Sequence, residues 1–208
     1  KNLGMINPSV KPDSGYAGAI CGTNYGSIEN CYNLGGEISV ASMYGGGIVG
    51  DNQGAIRECY NTGSVTSQNG SSIGGIAGCT HNGGMIIDCY NTGAITGAWY
   101  VGGICGQLDG GTITNCYGTG TATATYPGYA STAHPIAGIR LNGATVENSY
   151  YTNDRENNDG GKTAAQFASG EVAYLLNANR SESVWGQALG TQAAPVLPCS
   201  EHGRQARG

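Results

Sequence analysis

Residues 74–78 read Gly-Gly-Ile-Ala-Gly, and residues 89–91 read Cys-Tyr-Asn. Both phrases recur along the chain at intervals of about 28 residues, a self-similarity that is the signature of a repeat architecture. The isoleucine of the first phrase falls at Ile20, Ile48, Ile76 and Ile104. The cysteine of the second falls at Cys31, Cys59, Cys89 and Cys116. A catalytic centre needs unlike residues that converge, so this repetition of like residues argues against an enzyme.

The residues around each cysteine predict short strands separated by corners. An aliphatic residue stands three positions before the cysteine, as Ile56 does before Cys59, and the two residues between them are mostly polar. Strict alternation along a strand would place the two apolar side chains on opposite faces, so a bend between them is expected. The Asn-Thr-Gly at residues 61–63 predicts another corner, because asparagine and glycine tolerate left-handed backbone. Each period is therefore expected to hold three short strands and no helix.

This pattern predicts an all-β fold, a right-handed parallel β-helix of about five coils with about 28 residues each. Stacked coils place like residues on like residues, so the predicted core contains a column of isoleucines and a column of cysteines: Ile20, Ile48, Ile76, Ile104, Cys31, Cys59, Cys89 and Cys116. A fifth, divergent copy carries Ile136 and has Ser149 in place of cysteine. The alternative is an antiparallel array such as a propeller, although its blades usually need about 40 residues.

The chain divides into four predicted segments. Residues 1–14 are the end of a preceding coil, 15–151 the β-helix repeats, 152–197 a C-terminal cap and 198–208 a tail. Thr163 and Gln166 form a capping-box pattern, which predicts short helices over about 163–168 and 170–177. Because the end of a solenoid exposes strand edges and apolar core, we expect the cap to cover the C-terminal end. The sequence starts at Lys1 without a signal-peptide pattern, so it is expected to be a piece of a longer protein.

Composition argues against two classes of partner. Only 11% of the 208 residues are charged, and the net charge is −5 with no run of Lys or Arg. The basic surface that binds nucleic acid is therefore not expected. No apolar stretch approaches the ~20 residues that a membrane-spanning helix needs, so membrane insertion is not expected either.

The repeated phrases resemble a known family. Gly-Gly-Ile-Val-Gly at residues 46–50, followed by Ile-x-x-Cys-Tyr-Asn-Thr-Gly-x-Val at residues 56–65, resembles the GLUG repeat. The resemblance covers residues 15–150, and parts of residues 163–187 resemble the segment that often follows such repeats. It implies a non-catalytic region of a large bacterial protein at the cell surface or secreted. Adhesin-like proteins of gut bacteria and metallopeptidases that cleave immunoglobulin A contain this repeat. The resemblance specifies no ligand.

Aromatic residues are the candidate ligand-binding groups. A tyrosine follows each repeat cysteine, and if the cysteine points inward, Tyr60, Tyr90 and Tyr117 are expected to point at least partly outward. Such a stripe can stack on sugar rings, but it can equally stabilise neighbouring coils by stacking on itself. Trp99 and Tyr100 lie between repeat phrases, where loops often form the binding face of a solenoid.

No cofactor or metal site is predicted. Four of the eight cysteines occupy one equivalent position, which indicates buried free thiols. Zinc is disfavoured because no Cys-x-x-Cys occurs and because the histidines number three: His81, His134 and His202. A calcium candidate is the polar loop that contains Asp154, Glu156, Asn158 and Asp159, although a solvated loop is the simpler interpretation.

No catalytic residues are predicted. The His-Glu-x-x-His motif is absent. The acidic residues are scattered, as Asp51, Glu58, Asp88 and Asp109 illustrate. The expected function is an adhesive or scaffolding module, monomeric, that contacts a host or cell-surface glycan or protein. The alternatives are a spacer or recognition module of a secreted peptidase and a carbohydrate-active β-helix enzyme.

Overall fold

The computed structural model describes residues 1–41, 43–128, 132–154, 157, 159–178 and 180–198. Its strands lie in parallel and stack into a solenoid, as the sequence predicts. Two strands precede the first coil: β1 (Gly4–Ile6) and β2 (Ser9–Val10). The first coil contains β3 (Cys21–Asn24), β4 (Ser27–Glu29), β5 (Tyr32–Leu34) and β6 (Glu37–Val40).

The middle coils each contain five short strands. The second coil holds β7 (Tyr44–Gly46), β8 (Val49–Asn52), β9 (Ala55–Arg57), β10 (Tyr60–Asn61) and β11 (Ser64–Ser67). The third holds β12 (Ser72–Gly74), β13 (Ala77–His81), β14 (Met85–Ile87), β15 (Tyr90–Asn91) and β16 (Ile95–Gly97). The fourth holds β17 (Val101–Gly102), β18 (Cys105–Asp109), β19 (Thr112–Thr114), β20 (Tyr117–Gly118) and β21 (Ala122–Ala124).

The last coil is followed by a mixed segment. The fifth coil holds β22 (Ala133–His134), β23 (Ala137–Leu141), β24 (Thr145–Glu147) and β25 (Tyr150–Thr152). After it come β26 (Gly161–Lys162), α1 (Ala164–Ala168) and α2 (Glu171–Leu176). None of the helices in the described part of the chain has the length and apolarity to cross a membrane.

Equivalent strands of successive coils form five parallel sheets. Sheet A has the order β1-β5-β10-β15-β20-β25-β26, and sheet B has the order β2-β6-β11-β16-β21. Sheet C is β22-β17-β12-β7, sheet D is β23-β18-β13-β8-β3, and sheet E is β24-β19-β14-β9-β4. The chain therefore passes through sheets C, D, E, A and B in turn within each coil.

The prediction of three strands per coil is wrong. Each middle coil contains five short strands, because the chain turns at two more corners than expected. One lies inside the Gly-Gly-Ile phrase, between β12 and β13. A Cβ atom at Gly74 would stand 2.0 Å from the carbonyl oxygen of Ala77, and one at Gly75 would stand 2.1 Å from that of Gly103. Only glycine permits so close an approach, so the chain turns there and a longer strand is split in two.

The bend predicted before each cysteine is present. The residue that precedes the cysteine has a left-handed backbone, with φ between 42° and 55° at Asn30, Glu58, Asp88, Asn115 and Asn148. This corner separates sheet E from sheet A. It lets the aliphatic residue and the cysteine both face the interior, and Ile56 and Cys59 are both 0% exposed.

The isoleucine and cysteine columns form the main core. Ile48, Ile76 and Ile104 are fully buried, whereas Ile20, in the first coil, is half-buried. All four column cysteines are buried and linked along the stack: the Sγ of Cys59 accepts a hydrogen bond from the backbone N–H of Cys31 at 3.4 Å. In the fifth coil the Oγ of Ser149 accepts the equivalent bond from Cys116 at 3.1 Å. Ser149 therefore accepts the same backbone hydrogen bond that a cysteine accepts in the earlier coils.

The Asn-Thr-Gly corner is present, but its predicted mechanism is wrong. Gly63 does not have a positive φ angle, so its backbone is not in the left-handed conformation that the sequence predicted. The side chain of Asn61 holds the turn instead, since its amide donates to the carbonyl of Gly63 at 2.8 Å and its oxygen accepts from the N–H of Gly63 at 3.2 Å. The same side chain bonds Asn33 and Asn91, each at 2.7 Å. The buried asparagines thus form a ladder along three coils.

The C-terminal segment lies against the side of the solenoid as well as at its end. β26 pairs with β25 at the C-terminal edge of sheet A, and Thr163 caps α1 with Gln166 in the predicted capping box. After β26 the chain packs over the tyrosine column, forming a second apolar cluster: Tyr60, Tyr90, Tyr117, Phe167, Val172, Leu176, Trp185 and Leu197. Arg180 reaches back to Asp88 of the third coil. The predicted cap therefore covers a face that the sequence interpretation left open to solvent.

Candidate functional site

The tyrosine column does not face solvent as expected. Successive rings of Tyr32, Tyr60, Tyr90 and Tyr117 are stacked with centroids 4.9–5.1 Å apart. The exposed fractions of Tyr60, Tyr90 and Tyr117 are 2%, 6% and 1%, because Phe167 and Trp185 pack against the column. The Tyr117 hydroxyl donates to the carbonyl of Pro195 at 2.5 Å, and burial raises its pKa. These rings hold the C-terminal segment and are closed to a ligand.

The two loop aromatics are accessible but separate from that column. Trp99 and Tyr100 are each half-buried. The Trp99 ring meets Tyr126 edge to face, with centroids 5.5 Å apart. Tyr100 has a left-handed backbone with φ of 52°. Tyr129, another loop aromatic of the same region, lies outside the described residues.

The calcium candidate gains no support from the described part of its loop. Glu156 and Asn158 lie outside the described residues. The carboxylate of Asp159 lies 3.0 Å from Nε2 of His134, and the Asn157 side chain accepts from the backbone N–H of Gly161 at 2.8 Å. Asp159 is thus engaged with a histidine.

A groove on the outer face of sheet D brings unlike residues together. Its volume is about 240 Å³, and its lining comes from four successive coils. We call it the sheet D groove, and its residues are Tyr16, Tyr25, Tyr44, Asp51, Gln53, Cys79, His81, Gln107 and Asp109. Tyr16 and Tyr44 are stacked with their ring centroids 5.0 Å apart, and Tyr25 is 75% exposed. The groove therefore combines aromatic faces with carboxylate, amide, thiol and imidazole groups.

Strand register produces this convergence. Asp51, Cys79 and Gln107 are direct partners on β8, β13 and β18, and His81 is opposite Asp109. Cys79 and His81 are two positions apart on one strand, so their side chains share a face.

Hydrogen bonds order the floor of the groove. Nε2 of His81 lies 2.8 Å from one oxygen of Asp51, and the amide of Gln53 donates to the other at 3.1 Å. The side chain of Asp51 is only 4% exposed. Burial, then the nearby Cys105 and the carboxylates of Asp51 and Asp109, raise the pKa of the Cys79 thiol. The Cys79 side chain is therefore a neutral thiol at physiological pH.

The sequence interpretation missed this groove because it looked for like residues in equivalent positions. Asp51, Cys79 and Gln107 are separated by the repeat interval, as are Tyr16 and Tyr44. Reading the chain at that interval for unlike polar residues would have placed them in one column. The acids described as scattered include two, Asp51 and Asp109, that lie in this single groove.

The family model of the GLUG motif matches residues 69–96 and 97–123. Residues 69–123 are two GLUG repeats. Each match spans one turn of the solenoid, so one GLUG repeat is one coil containing the glycine phrase, the left-handed corner and the buried cysteine.

A solved structure shares the fold over almost the whole chain. It is described as that of a candidate immunoglobulin A1 protease from Bacteroides ovatus, determined at 1.30 Å resolution. The sequences are 25% identical, the TM-score is 0.66, and the match covers 95% of this chain and 68% of the other. No curated protein matches the sequence.

Proposed function

We propose that this chain is a non-catalytic, extracellular GLUG-repeat module of a bacterial surface or secreted protein that binds a glycan in the sheet D groove. The observation that carries the proposal is the groove itself, where the stacked pair Tyr16 and Tyr44 lies beside Gln53, Gln107 and Asp109. Flat aromatic faces pack on the apolar face of a sugar ring, and planar carboxylate and amide groups bond its hydroxyls. The extracellular and bacterial assignments are supported by the GLUG repeats and by the Bacteroides ovatus relative.

A scaffolding role accompanies this binding role. Each strand pairs with its equivalents in the neighbouring coils, and ladders of cysteine, asparagine and tyrosine tie the coils together. Such a stack is rigid along its axis, because each coil contacts the next over its whole perimeter. The groove spans four coils and is therefore a preformed surface, which reduces the entropy lost on binding.

A glycan and mucin array tests the binding proposal. The full chain is compared with a Tyr16→Ser/Tyr44→Ser variant and with a control, Tyr174→Ser, that removes a tyrosine 76% exposed on α2. We expect saturable binding that falls at least about tenfold in the groove variant and is unchanged in the control. Circular dichroism establishes that all three proteins are folded. An array without signal, or equal loss in both variants, would refute the sheet D groove as a glycan site.

The likeness to the Bacteroides ovatus protein favours a second candidate function, a recognition or spacer module of a secreted peptidase. Immunoglobulin A1 is therefore included as a soluble ligand in the same experiment. Binding of immunoglobulin A1 without glycan binding would favour a recognition module. If the chain binds neither a glycan nor immunoglobulin A1, the result would favour a spacer.

A further inference from the structure

We propose that Asp51, Cys79 and His81 form a binding site for Zn²⁺ on the floor of the sheet D groove. The residues come from two neighbouring coils, with Asp51 on β8 directly opposite Cys79 on β13. One ligand atom of each residue, a carboxylate oxygen, the thiol Sγ and an imidazole nitrogen, lies within 4.8 Å of the other two. The proposal does not rest on the proposed glycan binding, although the two sites share the groove.

The distances fit a tetrahedral ion after small side-chain movements. Metal–ligand bonds of about 2.0–2.3 Å place the ligand atoms of a tetrahedral zinc site about 3.3–3.8 Å apart. The His81 Nε2 and the Asp51 oxygen, 2.8 Å apart as a hydrogen-bonded pair, would separate by about 0.5 Å, and the Cys79 Sγ, within 4.8 Å of the other ligand atoms, would approach them by about 1–1.5 Å at most. The backbone positions are held by strand pairing on both sides of β13.

The chemistry of the ligands selects the class of metal. A thiolate, an imidazole and a carboxylate suit Zn²⁺ and its neighbours in the transition series, whereas Ca²⁺ and Mg²⁺ prefer oxygen alone. Binding requires the thiolate, so the Cys79 thiol transfers its proton to solvent as the sulfur–metal bond forms.

The surroundings complete such a site. Gln53 donates to the second oxygen of Asp51 at 3.1 Å, the kind of outer contact that orients a metal-binding carboxylate. Asp109 lies opposite His81 on β18 and adds negative charge, and the groove lining includes neither Lys nor Arg among the described residues. Three protein ligands leave a fourth position directed into the groove, which water or a groove ligand would fill.

Metal titration of the full, tag-free chain tests the site. Isothermal calorimetry with Zn²⁺ under reducing conditions is expected to give one site per chain. Addition of Co²⁺ is expected to give the thiolate-to-metal charge-transfer band and the visible bands of a tetrahedral ion. Cys79→Ser and His81→Ala should each lower the zinc affinity at least about tenfold, and Cys79→Ser should also abolish the charge-transfer band.

Two matched variants control for the remaining thiols and histidines. Cys21→Ser removes a half-buried cysteine outside the sheet D groove, and His134→Ala removes another histidine paired with an aspartate. Both should bind zinc as the unmodified chain does. The proposal is overturned if the folded chain binds no zinc, or if Cys79→Ser/His81→Ala keeps the affinity and the cobalt spectrum.

The outcome is separable from the glycan test. Zinc binding on a chain that binds no sugar would leave the metal site standing and the glycan proposal refuted. Sugar binding that survives chelation, in a chain that takes up no zinc, would leave the glycan proposal standing and the metal site refuted.

Discussion

At the scale of single residues, Asn61 shows how a polar side chain stabilises a corner between coils. It is 0% exposed, and its side-chain amide makes four hydrogen bonds, to Asn33, Asn91 and both backbone groups of Gly63. Asn61→Ala would leave these buried partners unsatisfied, so we expect a loss of about 2–4 kcal/mol in the free energy of unfolding. Chemical denaturation of the two proteins measures it.

The control for this prediction is Thr92→Ala, in the equivalent corner of the next coil. The Thr92 side chain is exposed. Thr92→Ala should therefore change the free energy of unfolding by no more than about 0.5 kcal/mol. If Asn61→Ala and Thr92→Ala unfold at the same denaturant concentration, the asparagine ladder contributes nothing to stability.

The buried thiols predict a loss of stability at alkaline pH. Burial raises the pKa of Cys105 to about 12, from an ordinary value of 9.0. The folded state therefore favours the protonated thiol, and the resulting stability is fully present below pH 9 and is lost as pH rises from 9 to about 12. Three pKa units correspond to a loss of about 4 kcal/mol for this group.

Urea denaturation at several pH values between 8 and 11, with reductant, measures this slope. Cys105→Ala should lessen the alkaline loss without abolishing it, because burial also raises the pKa of the Cys89 thiol. A variant with the same pH dependence as the unmodified chain would contradict the assignment to Cys105.

At the scale of elements, the sequence predicts the corners better than the strands. The bend before Cys59 could be foreseen because Ile56 and Cys59 are both apolar and stand three positions apart. The number of strands could not, since elements such as β10 contain two residues, too few to show alternation. The local sequence also contains no sign that Asn61 bonds residues about 30 positions away in both directions, because those bonds depend on the register of the stack.

The burial of the tyrosine column could not be predicted from the sequence of the repeats either. Tyr60, Tyr90 and Tyr117 stack as one of the two sequence interpretations supposed, but their burial depends on Trp185 and Phe167. Those partners lie far along the chain, outside the repeats, so nothing in the repeat period indicates them. Likewise, the sheet D groove exists only once Asp51, Cys79 and Gln107 are placed in register.

Trp185 is the residue through which the C-terminal segment holds this column. It is 3% exposed, and its ring centroid lies 5.4 Å from that of Tyr117 and 6.1 Å from that of Tyr90. Trp185→Ala should lower the free energy of unfolding of the segment by about 3–5 kcal/mol. Because the coils keep their own strand pairing, the far-ultraviolet β spectrum should persist while limited proteolysis cleaves within the segment.

Tyr174→Ala is the matched change on the same segment, since Tyr174 is 76% exposed on α2. It should leave the proteolysis pattern as it is. Equal resistance of the Trp185→Ala variant would show that the segment is held by other contacts, such as the ion pair of Arg180 with Asp88.

At the scale of the whole molecule, the segment after the coils covers apolar surface that the solenoid cannot bury by itself. Deletion of residues 160–208 removes β26, α1 and α2, uncovering both the edge of β25 and the side of the column formed by Tyr60, Tyr90 and Tyr117. Exposed strand edges and contiguous apolar patches both favour association. We therefore expect the truncated chain to form oligomers at concentrations where the full chain is a monomer, as light scattering after size exclusion measures.

A second truncated chain separates the two causes of association. It carries Tyr60→Thr, Tyr90→Thr and Tyr117→Thr, which remove the apolar column but leave the edge of β25 open. If the tyrosine face drives association, this chain returns to a monomer. If the strand edge drives it, the oligomers persist, because backbone pairing does not depend on those side chains. A truncated chain that stays monomeric without the threonine changes would show that the coils are self-sufficient and that the segment serves another purpose.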